Sequence, residues 1–282
     1  MRIHARQFDR RCVLGALKIT AITLLLITVL RNDGLAHDTW IETNTSLVRV
    51  GEVVHVDLKL GNHGNHHRDF LLAGRINPEW VTLEVASDQG KHESLREQLA
   101  PTAAAEKEGF WTTSYSPRSS GTFTVVQTLD RVMKHGKSVR GVRSAKTLFI
   151  ASESLDNPQV STTAGLAPLG LPYELVLESC PLRQVAVAQP LTVKVLKDGK
   201  PQANVLVSFI PRGEKLADEF DPRFERRTDA QGRASFTPAK ATVHLIAARH
   251  NAEDEKSDAY EYTSYCATLT VQVPKTPLAK AP

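Results

Sequence analysis

Short runs of β-branched residues that alternate with polar ones constrain this sequence more than any other feature. In residues 53–60, for example, Val and Leu recur at every second position. Similar runs occupy residues 47–50, 80–85, 122–128, 147–150, 171–177, 190–196, 205–210, 234–237, 243–248 and 268–273. Gly, Asn, Pro and Ser clusters separate these runs. A period of two between turn-forming clusters is typical of half-buried strands. The sequence therefore predicts an all-β fold.

The spacing of the runs predicts two β-sandwich units of immunoglobulin-like or prealbumin-like type. Residues 152–168 are rich in Ser, Thr, Asn, Pro and Gly and carry no periodic apolar pattern, so we expect a linker there. The first sandwich would span residues 37–151 and the second residues 169–275, followed by a tail at 276–282. Residues 94–108 fit either a short helix or a polar loop, because Pro101 interrupts the segment.

The start of the chain is typical of an export signal. Basic residues precede a short apolar run at 19–30, and Gly34 and Ala36 suit a cleavage site before His37. We expect residues 1–36 to be removed and the mature protein to be periplasmic or otherwise extracytoplasmic. An uncleaved anchor is the alternative, and the Arg10–Arg11 pair leaves Sec and twin-arginine export both open.

The charge balance argues against a nucleic-acid partner. The chain has 35 Lys and Arg and 31 Asp and Glu, of which six and two, respectively, lie in the first 36 residues. The rest of the chain is therefore formally neutral, without the basic excess of a nucleic-acid-binding protein.

Two cysteines, Cys180 and Cys266, remain after the expected cleavage. That number suits one disulfide in an oxidising compartment. We expect the two to be bonded, with a pair of buried free thiols as the alternative.

The segment Gly61-Asn-His-Gly-Asn-His-His-Arg-Asp carries the chemistry most typical of a binding site. It contains His63, His66 and His67 in a loop rich in Gly and Asn. Neutral imidazole suits nickel, cobalt, copper and zinc, whereas calcium prefers oxygen ligands. We therefore expect a transition-metal site here, with a solvated polar loop as the alternative.

A mature N-terminus at His37 would strengthen such a site. Its α-amine and imidazole can together chelate one divalent ion, because an α-amino pKa near ~7.7 makes the amine easy to deprotonate. His63, His66 or His67 could complete the site if the first strand lies beside the one that ends at Leu60. Alternatively, His37 is merely the residue left by cleavage.

Several motifs together resemble an exported, largely uncharacterised family described as the periplasmic component of ABC-type cobalt/nickel transport systems. The motifs are the signal followed by Ala-His-Asp-Thr-Trp-Ile-Glu, Gly51-Glu-Val-Val-His-Val, Asp198-Gly-Lys-Pro, Thr228-Asp-Ala-Gln-Gly-Arg-Ala, Ala248-Arg-His, and Tyr262-Thr-Ser-Tyr-Cys-Ala-Thr-Leu-Thr. The resemblance implies a β-sandwich that binds nickel or cobalt outside the cytoplasmic membrane for a membrane metal-uptake complex. It also implies a ligand role for His37 and adds His250 as a recurrent position.

Signatures of catalysis are missing, so we do not expect an enzyme. The sequence has no Gly-x-Ser-x-Gly, phosphate-binding glycine loop or His-Glu-x-x-His motif. Two alternatives to metal delivery stay open. One is a copper monooxygenase-like enzyme that uses the N-terminal histidine, and the other is a non-metal adhesion or carbohydrate-binding module.

Overall fold

Nearly all of the regular secondary structure in the described part of the chain is β-strand. The computed structural model describes residues 38–61, 75–102, 109–158, 165–180, 182–217 and 219–278. The strands in these ranges are β1 Asp38–Thr43, β2 Leu47–Arg49, β3 Val54–Gly61, β4 Thr82–Ser87, β5 His92–Ser94, β6 Ala100–Thr102, β7 Phe110–Tyr115, β8 Gly121–His135, β9 Lys137–Ser152, β10 Tyr173–Leu177, β11 Leu191–Lys197, β12 Lys200–Pro201, β13 Leu206–Pro211, β14 Glu225–Arg227, β15 Arg233–Phe236, β16 Val243–Ala252 and β17 Tyr262–Gln272. The prediction of an all-β sandwich fold is confirmed.

Helical structure in these ranges is limited to short 3₁₀ turns. Two of them are Pro78–Trp80 and Arg96–Gln98. The second falls in the segment for which the sequence left helix and loop open, and it is followed directly by β6. Within the described ranges, no helix has the length and apolar character needed to span a membrane.

The strands form three sheets. The first sheet has the order β1-β3-β7-β6, and the second has β10-β11-β12 with β15 also paired to β11. The third and largest sheet runs β14-β13-β16-β17-β9-β8-β4-β5, with β2 paired to β9. We call it the central sheet, because the other two pack against it.

The first core lies between the first sheet and the central sheet. Ile41 and Leu58 point into it from β1 and β3, and Leu83 points into it from β4; all three are fully buried. Phe123 and Phe149 stack there with their ring centroids 5.1 Å apart. The alternation of apolar and polar residues in 53–60 predicts that Leu58 points into the core, and the structure shows that it does.

The second core lies between the second sheet and the central sheet. Tyr173 and Val193 enter it from β10 and β11. Phe209, Ile246 and Leu269 face them from β13, β16 and β17. All five are at most 1% exposed, so the second unit is as well packed as the first.

The two cores occupy opposite faces of the central sheet. On β9, Ala145 and Phe149 belong to the first core and Val142 belongs to the second. Successive side chains of a strand point to opposite faces, so β9 contributes to both cores. A buried ion pair between Lys146 and Glu174, with an N–O distance of 2.6 Å, further ties β9 to β10.

The expectation of two sandwiches separated by a linker at residues 152–168 therefore needs correction. Strands β9 and β17 pair in parallel from Tyr262↔Val139 to Thr270↔Thr147. This pairing makes the two halves one continuous sheet and one compact unit. Composition marks the connection after β9, but no local pattern shows a pairing between strands more than a hundred residues apart.

Candidate metal centre

Strands β1 and β3 bring together the two segments that the sequence marks as metal-binding. They pair antiparallel, and the pair at their shared end is Asp38↔Gly61. Directly paired residues in such a ladder have Cα atoms about 4.5–5.5 Å apart. His37 precedes Asp38, and the loop with the three histidines follows Gly61. The adjacency of strands on which the predicted site depends is therefore present.

Four of the five predicted ligands, His37, His63, His66 and His67, lie outside the described residues. Their ligand roles therefore stay predictions. Among the residues that the structure does describe, no group of three or more His, Cys, Asp or Glu side chains is arranged to hold a metal ion.

Asp38 anchors the start of β1 to the central sheet. Its side chain is only 2% exposed, and Arg249 on β16 donates to both of its carboxylate oxygens, with 3.0 Å between Nε and Oδ1. The thiol of Cys266 donates to the same Oδ1 at 3.3 Å. One residue further along, Thr268 Oγ1 donates to the carbonyl oxygen of Thr39 at 2.7 Å. Strands β16 and β17 therefore hold this end of β1 in place.

The electrostatics of this anchor follow from its burial. The carboxylate of Asp38 raises the pKa of the Arg249 guanidinium above its already high value, so the arginine is always charged. Burial, together with the Asp38 charge, raises the pKa of Cys266 to about 12. At neutral pH the cysteine is therefore a thiol and acts as a hydrogen-bond donor. The quoted motifs contain Asp38, Arg249 and Cys266, but the sequence does not show that they meet, because Asp38 and Arg249 are 211 residues apart in the chain.

His250 does not join this end of the sheet. It follows Arg249 on β16, so its side chain points to the opposite face. There it stacks on Tyr173 and Tyr265, with ring centroids 6.5 and 6.2 Å away. The structure therefore places the side chains of His250 and Asp38 on opposite faces of the central sheet, and the ligand role of His250 stays a prediction.

The expected disulfide between Cys180 and Cys266 is not formed, because both residues are buried free cysteines. Cys180 packs with Ile150, whereas Cys266 is the strand partner of Arg143. These two positions on β9 are seven residues apart, or roughly 23 Å along the strand. A disulfide needs Cα atoms within about 7 Å of each other. The structure instead has two buried free thiols, which is the alternative that the sequence left open.

The fold defines the protein as an all-β sandwich protein in which a central sheet carries one core on each face. Residues 35–252 match the model of the family DUF4198, described as a domain of unknown function. Since this match covers more than half of the chain, the chain belongs to that family. No curated protein matches it.

Several solved structures are partly similar to this chain. The adhesin InvE of Yersinia pseudotuberculosis is 15% identical, with a TM-score of 0.21, over 83% of this chain and 59% of that one. The D00-D0 domain of Intimin is 12% identical, with a TM-score of 0.19, over 83% and 98%. Salmonella alpha-2-macroglobulin reacted with methylamine is 13% identical, with a TM-score of 0.26, over 86% and 15%. The chain thus spans under two thirds of the InvE and macroglobulin chains.

Proposed function

We propose that this protein binds one divalent transition-metal ion outside the cytoplasmic membrane and serves its uptake or delivery. Nickel and cobalt are the proposed cargo, with copper as the alternative. The ligands would be the α-amine and imidazole of His37 and at least one of His63, His66 and His67. A membrane metal-uptake complex would be the partner that receives the ion.

The observation that carries this proposal is the Asp38↔Gly61 pair at the end of β1 and β3. A chain reaches at most about 3.3–3.6 Å per residue. His37 is one residue from Asp38 and His63 is two residues from Gly61. Their chain segments therefore start from neighbouring points, and a geometry in which both histidines reach one ion is open to them. Imidazole and amine nitrogens are the donors that nickel, cobalt and copper favour.

The anchoring of Asp38 adds a second argument. A coordinating residue binds its metal ion more tightly when the neighbouring backbone is already fixed, because less conformational freedom is lost on binding. The hydrogen bonds from Arg249 and Cys266 fix the residue that directly follows His37. Export and cleavage before His37 belong to the proposal, because only cleavage frees the α-amine.

A metal titration of histidine variants tests the proposal. Isothermal titration with nickel, cobalt and copper would compare the mature wild type with the triple variant His63→Ala, His66→Ala and His67→Ala. His92→Ala is the matched control, since His92 is an exposed histidine on β5. We expect one ion per chain for the wild type and the control, and at least tenfold weaker binding for the triple variant. Equal binding by all three proteins would contradict the proposal.

Turnover would distinguish delivery from the enzyme alternative. A copper-loaded protein that oxidises an organic substrate in the presence of dioxygen and a reductant would favour monooxygenase chemistry. Tight binding of the metal without turnover supports delivery. A mature protein that binds none of the three ions would leave the adhesion or carbohydrate-binding module as the better account.

A further inference from the structure

A polar pocket of about 330 Å³ lies at the other end of β1 from Asp38. It opens where β9 and β17 separate. Their parallel pairing ends at Thr270↔Thr147, and beyond this point β2 takes the place of β17 beside β9. The turn 43–46, which connects β1 to β2, covers the gap.

The floor of the pocket is buried and polar. Thr147 and Thr270 are 3% and 5% exposed, and Glu42 is 9% exposed. The hydroxyl of Thr147 donates to the Thr270 carbonyl oxygen at 3.1 Å. The Thr270 hydroxyl, by contrast, is buried without a hydrogen-bond partner. Its accessible surface is close to zero, so it lies behind the pocket wall, and the polar groups left for a ligand are the Glu42 carboxylate and the side chains of the turn and Gln272.

The rim is more exposed and presents further hydroxyl and amide groups. The turn contributes Thr43, Asn44, Thr45 and Ser46, and Gln272 contributes from the end of β17. Two apolar side chains, Leu148 and Val243, complete the lining. A volume of about 330 Å³ is at the lower end of the range for small-molecule sites.

The charge of the pocket is balanced. Glu42 is the one carboxylate among the lining residues, and it accepts hydrogen bonds from Lys59, at 2.7 Å, and from Arg212. Burial alone would raise the pKa of Glu42, but these two cations bring it below its usual value. A cationic ligand would compete with Lys59 and Arg212, and an anionic ligand would be repelled by Glu42. A neutral ligand neither competes with Lys59 and Arg212 nor is repelled by Glu42.

We propose that this pocket binds a small neutral molecule rich in hydroxyl groups, with the chemistry of a monosaccharide or a polyol. A hydroxyl group both donates and accepts. It can therefore pair with the carboxylate of Glu42 and with the hydroxyl and amide groups of the rim. Leu148 and Val243 offer an apolar surface to the C–H groups of such a ligand. The pocket lies about 13 Å along β1 from Asp38, and the inference is independent of the metal proposal.

The first experiment screens defined probes against the full exported protein. Saturation-transfer NMR at millimolar concentrations would use methyl glucoside, methyl mannoside, N-acetylglucosamine and myo-inositol as neutral probes. Acetate and methylammonium are the charged probes. We expect at least one neutral probe to bind and neither charged probe to bind. Binding of the charged probes alone, or of no probe, would overturn the proposal.

Two variants then locate the binding. Ser46→Ala removes a hydroxyl of the rim, and Gln272→Leu removes an amide of the rim. Thr113→Val is the control, because Thr113 lies outside the pocket. We expect each pocket variant to weaken binding roughly fivefold, the effect of one lost hydrogen bond, and the control to bind as the wild type does. Equal affinity of the wild type and both pocket variants would overturn the proposal.

Discussion

Arg249 holds the carboxylate of Asp38 through two hydrogen bonds across 211 residues of sequence. The carboxylate is 2% exposed, so water cannot replace the arginine. This ion pair fixes the position from which His37 and the proposed metal site begin.

Arg249→Met should lower the free energy of unfolding by about 2–4 kcal/mol, because it leaves the buried charge of Asp38 unpaired. Arg233→Met is the matched control. Both arginine side chains are 43% exposed, but Arg233 pairs with Glu178, which is 26% exposed. The control should cost much less, because the Arg233–Glu178 pair is exposed to solvent and water can replace it. Urea unfolding of both variants measures the difference, and equal losses would refute the structural role of the Asp38 pair.

Cys180 and Cys266 should both react with an alkylating reagent in the denatured, unreduced protein. The reason is that neither is bonded in the structure. In the native protein the reaction should be slow, since both are buried and burial raises the pKa of Cys266 to about 12. Mass spectrometry after alkylation counts the thiols. A mass that shows no added groups would indicate a disulfide and contradict the structure.

The two cores should unfold in one transition, because the central sheet joins them. Trp40, Trp80 and Trp111 all precede β8, so every tryptophan belongs to the first half of the sequence, and Trp40 also lies on the strand that β16 and β17 anchor. Phe209→Ala in the second core should destabilise the protein by about 3–5 kcal/mol. The fluorescence midpoint should shift as far as the midpoint from circular dichroism. A fluorescence midpoint that stays at its wild-type value would show that the halves unfold independently.

The free energy of unfolding should decrease as the pH falls below neutral, in part because His244 becomes protonated more easily in the unfolded chain. This residue is fully buried, Nδ1 lies 3.1 Å from the Thr242 carbonyl oxygen, and Nε2 has no partner. Burial lowers the pKa of His244 below 6.5. The unfolded chain therefore takes up this proton first, and stability is lost as pH falls below about 6.5.

His244→Phe should reduce this loss, by at most about 1.4 kcal/mol per pH unit. The measurement is the free energy of unfolding at pH 7 and pH 5.5. His92→Ala, at an exposed site on β5, should keep the slope of the wild type. An unchanged slope in His244→Phe would contradict the assignment.

The sequence predicts the strands best where one face is apolar. Val54, Val56 and Leu58 alternate with polar residues, and all three are buried in the first core. The prediction for β9 was too short, covering 147–150 of Lys137–Ser152. Its middle carries Arg143 and Lys146, which are buried through their polar partners and therefore break the apolar pattern.

The candidate site was predictable only in part. The histidines and their nearness in sequence to β1 and β3 are visible in the chain, and the register Asp38↔Gly61 agrees with that reasoning. The anchor was not visible, because it joins Asp38 to residues on strands at the far end of the chain. The parallel pairing of β9 and β17 has no local signal either, so the sequence suggests separate domains where the structure has one sheet.

The most direct test of the metal proposal is a titration of two proteins that differ by one residue at the N-terminus. One begins at His37, and the other carries a single Gly before His37, so that every histidine is retained. Blocking the chelate of α-amine and imidazole should weaken nickel, cobalt or copper binding at least tenfold in the extended protein. Equal affinity of the two proteins, measured by calorimetry at the same pH, would contradict the role of His37.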